Sequence, residues 1–193
     1  MKILQFSVGG YDHNFSYIIE DAGEAIIVDP CGDINLVIDY IDTRHLKPIL
    51  VINTHSHHDH VEKNAVIKQK YGVDIALHTL ENHPKDMALK HKQEISVGNS
   101  IVTIYHTPGH TPGSICILAE NKLLTGDVLF VETIGRTDFA ESSPKAMANT
   151  LEFLKSLPDD LEILPGHDYG PTPTATLGEQ KKTNPYLLKK FHN

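Results

Sequence analysis

The sequence predicts an α/β fold in which β-sheets are covered by helices on their outer faces. Short β-rich apolar runs, each bounded by Gly, Pro, Asp or Asn, recur along the chain as strands do. The first runs follow one another as hairpins, and the later ones alternate with segments of helical periodicity. A chain of 193 residues with 40% hydrophobic content can bury a core. We therefore expect one domain over residues 1–193.

The predicted strands are short and rich in Ile, Leu and Val, with few charges inside them. They are Ile3–Val8, Phe15–Ile19, Ala25–Val28, Ile49–Ile52, Ile75–Leu77, Ile101–Tyr105, Ile115–Leu118, Lys122–Thr125 and Glu162–Leu164. Helices are expected between and after these runs. Asp33 is expected to cap a helix over Ile34–Thr43. The other predicted helices are Val61–Tyr71, the stretch after Ser143-Pro144, and Thr176–Lys189 with an interruption near Asn184-Pro185.

Charge and composition exclude several classes of protein. The formal net charge is −8, and no Lys/Arg run is longer than two residues, which argues against nucleic-acid binding. The start of the chain lacks the apolar region of a signal peptide, and no apolar stretch approaches 18 residues. The two cysteines, Cys31 and Cys116, have neither metal-site nor disulfide spacing. We therefore expect a cytoplasmic protein that acts on a small molecule, with no membrane or nucleic-acid partner.

The segment Thr54-His55-Ser56-His57-His58-Asp59-His60 concentrates metal-binding side chains directly after the apolar run Ile49–Ile52. His55 and His57 are two residues apart in extended backbone, so they project to the same side and can share one ion. Asp59 and His60 lie in the turn that follows and are aimed at a second ion. Imidazole and carboxylate without thiolate suit zinc, iron or manganese.

Three further donors stand in Gly- or Pro-containing loops near the ends of predicted strands: His110, Asp127 and His167. A single tetrahedral ion takes four protein ligands in a structural site and three in a catalytic site. Seven donors exceed that number, whereas two ions that share one bridging carboxylate use all of them. The sequence therefore predicts two divalent metal ions, and the donor set alone does not choose among zinc, iron and manganese.

Together these residues are similar to the pattern of the metallo-β-lactamase superfamily, and within it the chain most resembles small glyoxalase II-like (hydroxyacylglutathione hydrolase-like) enzymes. The matching segments run nearly end to end: Val28-Asp29-Pro30, His55–His60, Thr107–Ser114, Thr125-Gly126-Asp127, Gly135–Phe139 and Pro165–Tyr169. The resemblance implies an αββα sandwich of two mixed β-sheets flanked by helices, with the metals at one edge.

The resemblance also implies which residues hold each ion. The first ion is bound by His55, His57 and His110. The second is bound by Asp59, His60 and His167, and Asp127 bridges both. His58 lies at a variable position of the family pattern and is expected not to be a ligand.

The function implied is hydrolysis of a thioester or related ester by a metal-bound hydroxide. Asp59 and Asp127 are the expected catalytic carboxylates, because they reduce the positive charge of the site and orient the hydroxide. Glyoxalase II-like enzymes cleave thioesters such as S-lactoylglutathione. Only about 26 residues follow His167, which leaves open whether glutathione is recognised, as well as the identity of the acyl and thiol parts.

Two other functions stay open. Persulfide dioxygenases are relatives that carry motifs similar to Gly135–Phe139 and His167–Tyr169; in that case a single iron is held by His55, His110 and Asp127. The third hypothesis is a non-catalytic metal-binding module, which typically has a closed, often cysteine-rich site.

Several residues outside the ligand set allow either a structural or a functional interpretation. Asp29 either caps a turn with Pro30 or orients a metal ligand without binding the metal itself. Tyr169 either faces the substrate cleft or packs against neighbouring side chains. Arg136 and Asp138 are expected to pair in the loop after Asp127. Cys31 and Cys116 are expected to be inert. The histidines expected at the surface are His13, His45, His78, His83, His91 and His192, and His106 is expected to pack near His110.

Overall fold

The computed structural model describes residues 1–189 and contains two six-stranded sheets packed face to face. The N-terminal sheet has strands in sequence order: β1 (Lys2–Gly9), β2 (Asn14–Asp21), β3 (Glu24–Val28), β4 (Lys47–Ile52), β5 (Asp74–His78) and β6 (Met87–Leu89). The first three strands are antiparallel, and β3 to β6 are parallel. The sheet is therefore mixed.

The C-terminal sheet contains β7 (Glu94–Val97), β8 (Ser100–His106), β9 (Ile115–Ala119), β10 (Lys122–Gly126), β13 (Glu162–Pro165) and β14 (Ala175–Thr176), in the order β14-β13-β10-β9-β8-β7. Its pairs are antiparallel except β10 with β13, which are parallel. A two-stranded ribbon of β11 (Leu129–Phe130) and β12 (Thr133–Ile134) lies between them in sequence. This sheet is also mixed.

Helices cover the outer face of each sheet. The helices are α1 (Asn35–Arg44), α2 (His58–Val61), α3 (Asn64–Tyr71), α4 (Pro144–Lys155) and α5 (Leu177–Thr183). Val37 and Ile41 of α1 and Ile67 of α3 pack on the N-terminal sheet, whereas Leu151 and Leu154 of α4 pack on the C-terminal sheet. A third cluster, including Ile19, Ile52 and Ile117, fills the space between the sheets. The predicted αββα sandwich is confirmed.

All nine predicted strands are present, but the five short strands β6, β7, β11, β12 and β14 were not predicted. Helix boundaries also differ, and the last helix ends at Thr183 instead of Lys189. Helix α1 begins at Asn35 with Ile34 as its N-cap and no side-chain cap, so the expected cap by Asp33 was wrong. Here Ile34 N–H bonds the Gly32 carbonyl in a turn that precedes the helix. The predicted helix Val61–Tyr71 begins later than expected: Val61 ends α2, and α3 starts at Asn64, because the backbone at Lys63 (φ −103°, ψ 9°) is not helical. Ser143 caps α4 through the Ala146 N–H, with Pro144 in the first turn as predicted.

Candidate metal centre

The predicted ligands meet at one edge of the sandwich, where the carboxyl ends of parallel strands lie side by side. Strands β3 and β4 end together in one sheet, and β10 and β13 end together in the other. The loop 107–114 joins β8 to β9 at the same edge, and the Ile115 N–H donates to the Thr54 carbonyl across the two sheets. Loops from both sheets therefore converge there.

Local backbone sets the directions of the four ligands in the 54–60 segment. The chain is extended at His57 (φ −61°, ψ 145°), and helix α2 begins at the next residue. The His55 and His57 rings, whose centroids are 4.6 Å apart, therefore lie together. Asp59 and His60 are carried round by the helical turn to a second position.

The donor atoms form three overlapping groups, each with its ligand atoms within 4.8 Å of one another. We call His55, His57 and His110 the first group and Asp59, His60 and His167 the second group. The remaining cluster joins His55, His60 and Asp127. The structure thus brings all seven predicted ligands together, and Asp127 lies between the groups, with its Oδ2 3.6 Å from His110 Nε2 and 3.3 Å from His167 Nε2.

In the first group, outward hydrogen bonds fix which ring nitrogen carries the proton. His110 Nδ1 donates to the Arg136 carbonyl at 2.9 Å, and His57 Nε2 donates to the Glu141 carboxylate at 3.2 Å. Carbonyl and carboxylate oxygens only accept, so the remaining nitrogens of both rings carry lone pairs. These two nitrogens, His110 Nε2 and His57 Nδ1, face each other at 2.9 Å.

The second group has the same arrangement. His60 Nδ1 donates to Asp29 Oδ2 at 2.9 Å, and His167 Nδ1 donates to the Asp12 carbonyl at 2.7 Å. The Nε2 atoms of the two rings then face each other at 3.2 Å. Two facing lone pairs repel unless a proton or a metal ion lies between them, so both groups have the form of a cation site.

His55 and Asp127 complete this pattern. Thr54 Oγ1 donates to Asp29 Oδ2 at 2.6 Å, so it accepts from His55 Nδ1, which lies 3.2 Å away. Within residues 1–189, the buried atom His55 Nε2 has no hydrogen-bond partner, and Asp127 Oδ1 has only the nearby His60 Nε2, at 3.2 Å. Buried polar atoms without partners are costly, and a metal ion satisfies both. The donor set therefore fits a pair of divalent ions.

The pKa shifts of the histidines differ between the two groups. Burial lowers the pKa of His55 well below its usual range, helped by the neighbouring His60, and burial also lowers the pKa of His110. Burial opposes protonation of His60 too, but the carboxylates of Asp127 and Asp29 outweigh it and raise the His60 pKa well above its usual range. In the same way, Asp127 raises the pKa of His167 against the effect of burial.

The two carboxylates of the ligand set stay ionised. Burial raises the pKa of Asp127, but His60 and His167 outweigh burial and hold it well below the usual range. Burial also opposes ionisation of Asp59, yet His60 and a hydrogen bond from Asn14 Nδ2 at 2.9 Å lower its pKa. Both side chains therefore carry negative charge in neutral solution.

Asp29 and Gly166 determine how closely the ligand loops approach. Asp29 accepts from His60 Nδ1, from the Thr54 N–H at 2.7 Å and from the Thr54 hydroxyl, so it orients the ligand segment. Of the two interpretations of Asp29, the structure supports the orienting one. A Cβ at Gly166 would lie 2.4 Å from Asp127 Oδ1 and 2.8 Å from His60 Cε1. Only glycine fits there.

A cleft of about 240 Å³ opens above the ligands. Its walls include Phe139, which packs edge-on against the His57 and His110 rings, and Tyr169, which stacks on the His167 ring at 4.7 Å. Arg136 lies at the mouth, pairs with Asp138 as predicted and places its guanidinium 4.6 Å from the centre of the Phe139 ring. Tyr169 is therefore both a cleft residue and a packing residue.

Some supporting residues were not predicted. Asn14, Asp12 and Glu141 each contact a ligand from a distant part of the chain, and their identity alone does not distinguish them from ordinary loop residues. Glu81, a buried carboxylate, was missed for the same reason.

The histidines and cysteines outside the site mostly lie as expected, with one correction. His78 was expected at the surface but is buried, with its ring stacked 3.9 Å from that of His106. His78 ends β5 and faces the neighbouring sheet, which explains the error. Both cysteines are buried free thiols. His192 lies outside the described residues.

In residues 1–189, none of the helices is both long and apolar enough to cross a lipid bilayer.

Comparison with known proteins identifies relatives. The sequence profile of the family described as "Metallo-beta-lactamase superfamily" matches residues 9–167. The "Probable polyketide biosynthesis zinc-dependent hydrolase BaeB" of Bacillus velezensis is 32% identical, over 93% of this chain and 84% of that protein. "Hydroxyacylglutathione hydrolase GloC" of Haemophilus influenzae is 31% identical, over 98% of this chain and all of that protein (100%). The structure of ETHE1 from Myxococcus xanthus superposes with a TM-score of 0.91 at 27% identity, covering 98% of this chain and 86% of that one.

Proposed function

The chain belongs to the metallo-beta-lactamase superfamily, and from that premise we propose that it is a hydrolase that uses two divalent metal ions to cleave a thioester or related ester. The observation that carries the proposal is the convergence of inward-facing imidazole nitrogens and ionised carboxylates on one sheet edge. Two relatives whose names describe a zinc-dependent hydrolase and a hydroxyacylglutathione hydrolase support the reaction class.

The first group would hold one ion through His55, His57 and His110, and the second group would hold the other through Asp59, His60 and His167. Asp127 lies between the groups and would be the carboxylate that they share. Zinc is the proposed metal, supported by the donor chemistry and by the name of the zinc-dependent relative, with iron and manganese as alternatives.

When bound, divalent ions would supply Lewis acidity for a carbonyl oxygen and would lower the pKa of a water ligand to about 7. The protein's own contribution is charge and orientation. Asp59 and Asp127 stay ionised, so they offset the cationic charge and accept a hydrogen bond from the attacking water. Because Asp59 Oδ2 is itself held by Asn14, its direction is fixed.

The cleft determines which substrates fit. Phe139, Phe130 and Tyr169 present apolar ring surface to the acyl and thiol parts. Arg136 at the mouth is paired with the Asp138 carboxylate, so this ion pair adds no net charge to the cleft. A thiolate leaves without strong acid help, because its conjugate acid has a pKa near 8.5, so no dedicated proton donor is needed.

Metal analysis and a substrate panel test the proposal. The protein is purified without added metal, its metal content is measured, and hydrolysis is followed for thioesters and matched oxygen esters, with and without a free carboxylate. We expect two divalent ions per chain and thioester cleavage that a chelator abolishes. No cleavage of any thioester or ester by the two-metal protein would contradict the proposal.

A second candidate is a persulfide dioxygenase with one iron on His55, His110 and Asp127. It is favoured by the Gly135–Phe139 motif and by the fold likeness to ETHE1. The same preparation discriminates, because a single iron per chain and oxygen uptake on glutathione persulfide would replace the hydrolase proposal.

We place the reaction in the cytoplasm, in a single domain over residues 1–193. The two buried free thiols are consistent with a reducing compartment. The proposed partner is a small-molecule substrate. Fractionation of the native host cells tests the location.

A further inference from the structure

Glu81 is a buried carboxylate in the segment between β5 and β6, and it belongs to neither metal group. Its residue is 4% exposed. The side chain accepts four hydrogen bonds, and all four donors are uncharged. A buried carboxylate that forms hydrogen bonds only to neutral groups is costly unless each oxygen is well satisfied, so the arrangement is specific.

Each carboxylate oxygen accepts hydrogen bonds from one of the two loops that carry the first group. Oε2 accepts from the Ser56 N–H at 3.1 Å and from the Ser56 hydroxyl. Oε1 accepts from the Thr111 hydroxyl at 2.5 Å and from the Gly113 N–H at 3.0 Å. Ser56 stands between His55 and His57, and Thr111 directly follows His110. A single rigid carboxylate thus connects the two loops that carry the whole first group.

The loops also pack directly on this side chain. A Cβ at Gly113 would lie 2.7 Å from both Cγ and Oε1 of Glu81. The hydroxyl of Thr111 lies 2.7 Å from the Ser114 hydroxyl, which itself accepts from the Thr111 N–H at 3.0 Å. The loop after His110 is therefore held by its own hydrogen bonds and is also hydrogen-bonded to Glu81.

An amide cannot replace this carboxylate. A hydroxyl can reverse its role and accept, but the N–H groups of Ser56 and Gly113 can only donate. One of them faces each carboxylate oxygen. A glutamine at position 81 therefore sets its NH₂ group against a backbone N–H in either orientation of the amide.

We propose that Glu81 is a positioning residue for the first metal group, which sets the separation between His57 and His110 without touching metal or substrate. This inference rests on the two-metal site of the proposed function. The nitrogens it positions are His57 Nδ1 and His110 Nε2, which are 2.9 Å apart. The second group has no hydrogen bond to Glu81 among the described residues.

The test separates the two groups by using backgrounds in which one of them has lost a ligand. Cobalt(II) is titrated into metal-free protein carrying Asp59→Ala, which reports the first group, or His57→Ala, which reports the second. Glu81→Gln is then added to each. We expect it to weaken cobalt binding about 10- to 100-fold in the Asp59→Ala background, with an altered cobalt absorption spectrum. In the His57→Ala background we expect a change of less than about threefold.

Glu20→Gln is the matched control. Glu20 is a largely buried glutamate (side chain 17% exposed) that accepts from the Tyr40 hydroxyl. It lies six residues along β2 from Asn14, about 20 Å from the site. We expect no change in cobalt affinity in either background from this substitution.

If Glu81→Gln does not fold, Thr111→Val removes one donor and keeps the shape of the loop. We expect it to weaken cobalt binding at least about threefold in the Asp59→Ala background only. Equal weakening in both backgrounds, as a merely structural role produces, would overturn the inference, and so would unchanged affinity in the first. If the unsubstituted protein binds two cobalt ions but cleaves no thioester, the proposed reaction fails and this inference stands. If it binds none, both fail.

Discussion

The two metal groups use the same residue type in opposite electrostatic settings. The first group consists of three imidazoles, and burial keeps His55 and His110 neutral. The second group contains Asp59, and His60 also contacts Asp29 and Asp127, so that the pKa of His60 is raised. In the metal-free protein one group therefore offers free lone pairs, whereas the other holds a proton where an ion would lie. Histidines in the two groups therefore need not bind a metal in the same way.

Asp127 is the residue that the two groups share, so its loss has the largest expected effect. Asp127→Ala removes a carboxylate near both His110 and His167. We expect hydrolysis to fall by about 10²- to 10³-fold and the metal content to fall by one ion per chain. Steady-state kinetics and elemental analysis measure both. Asp168→Asn, at an exposed neighbour of His167, is the control, and an unchanged rate in Asp127→Ala would contradict the shared role.

The different proton content of the groups predicts a different pH dependence of metal binding. Because the His60 pKa is raised, this side chain is protonated in the metal-free protein at neutral pH and must release the proton when an ion binds. In the His57→Ala background, cobalt affinity should rise up to about tenfold per pH unit until the pH passes the His60 pKa.

In the Asp59→Ala background, the lowered pKa values of His55 and His110 leave these rings already deprotonated near pH 7. Cobalt affinity there should be nearly independent of pH above the usual histidine range. Calorimetry in buffers of different ionisation enthalpy counts the protons released. Equal release in the two backgrounds would remove the contrast between the groups.

Asp29 supports mainly the second group, through His60. Asp29→Asn keeps the shape but removes the charge that accepts from His60 and twice from Thr54. We expect about 10- to 100-fold weaker cobalt binding in the His57→Ala background and a loss of about 2 kcal/mol in the unfolding free energy. Cobalt titration and urea denaturation measure these effects. Asp33→Asn, at a residue without a capping role, is the control; a stability loss without a loss of affinity would make Asp29 purely structural.

Glu141 is the corresponding support for His57 in the first group, but it is half-exposed. Its side chain is 47% exposed and lies 3.2 Å from His57 Nε2. Solvent screens such a pair, so Glu141→Gln should weaken cobalt binding only about two- to threefold in the Asp59→Ala background. Glu152→Gln on the exposed side of α4 is the control. A tenfold or larger effect would show that solvent exposure does not determine how strongly such a residue supports its metal ligand.

The sequence was sufficient to predict that these seven donor side chains converge, because each follows a strand end and belongs to a motif of characteristic spacing. The supports Glu81, Glu141 and Asp12 have no such signal, since each forms hydrogen bonds to residues that are distant in the chain. His78 was assigned to the surface from its polar neighbours, but the sandwich buries the end of β5. A local sequence pattern does not show how one sheet packs on the other.

The hydrogen bond from His167 to the carbonyl of Asp12 joins residues 155 positions apart. An emerging polypeptide on the ribosome therefore cannot complete the second group until almost all of the described chain has left the exit tunnel. Contacts of such long sequence separation slow folding, so the centre is acquired late. Occupancy of the second group by metal then marks chains that extend past His167, and shorter nascent fragments present only part of the ligand set.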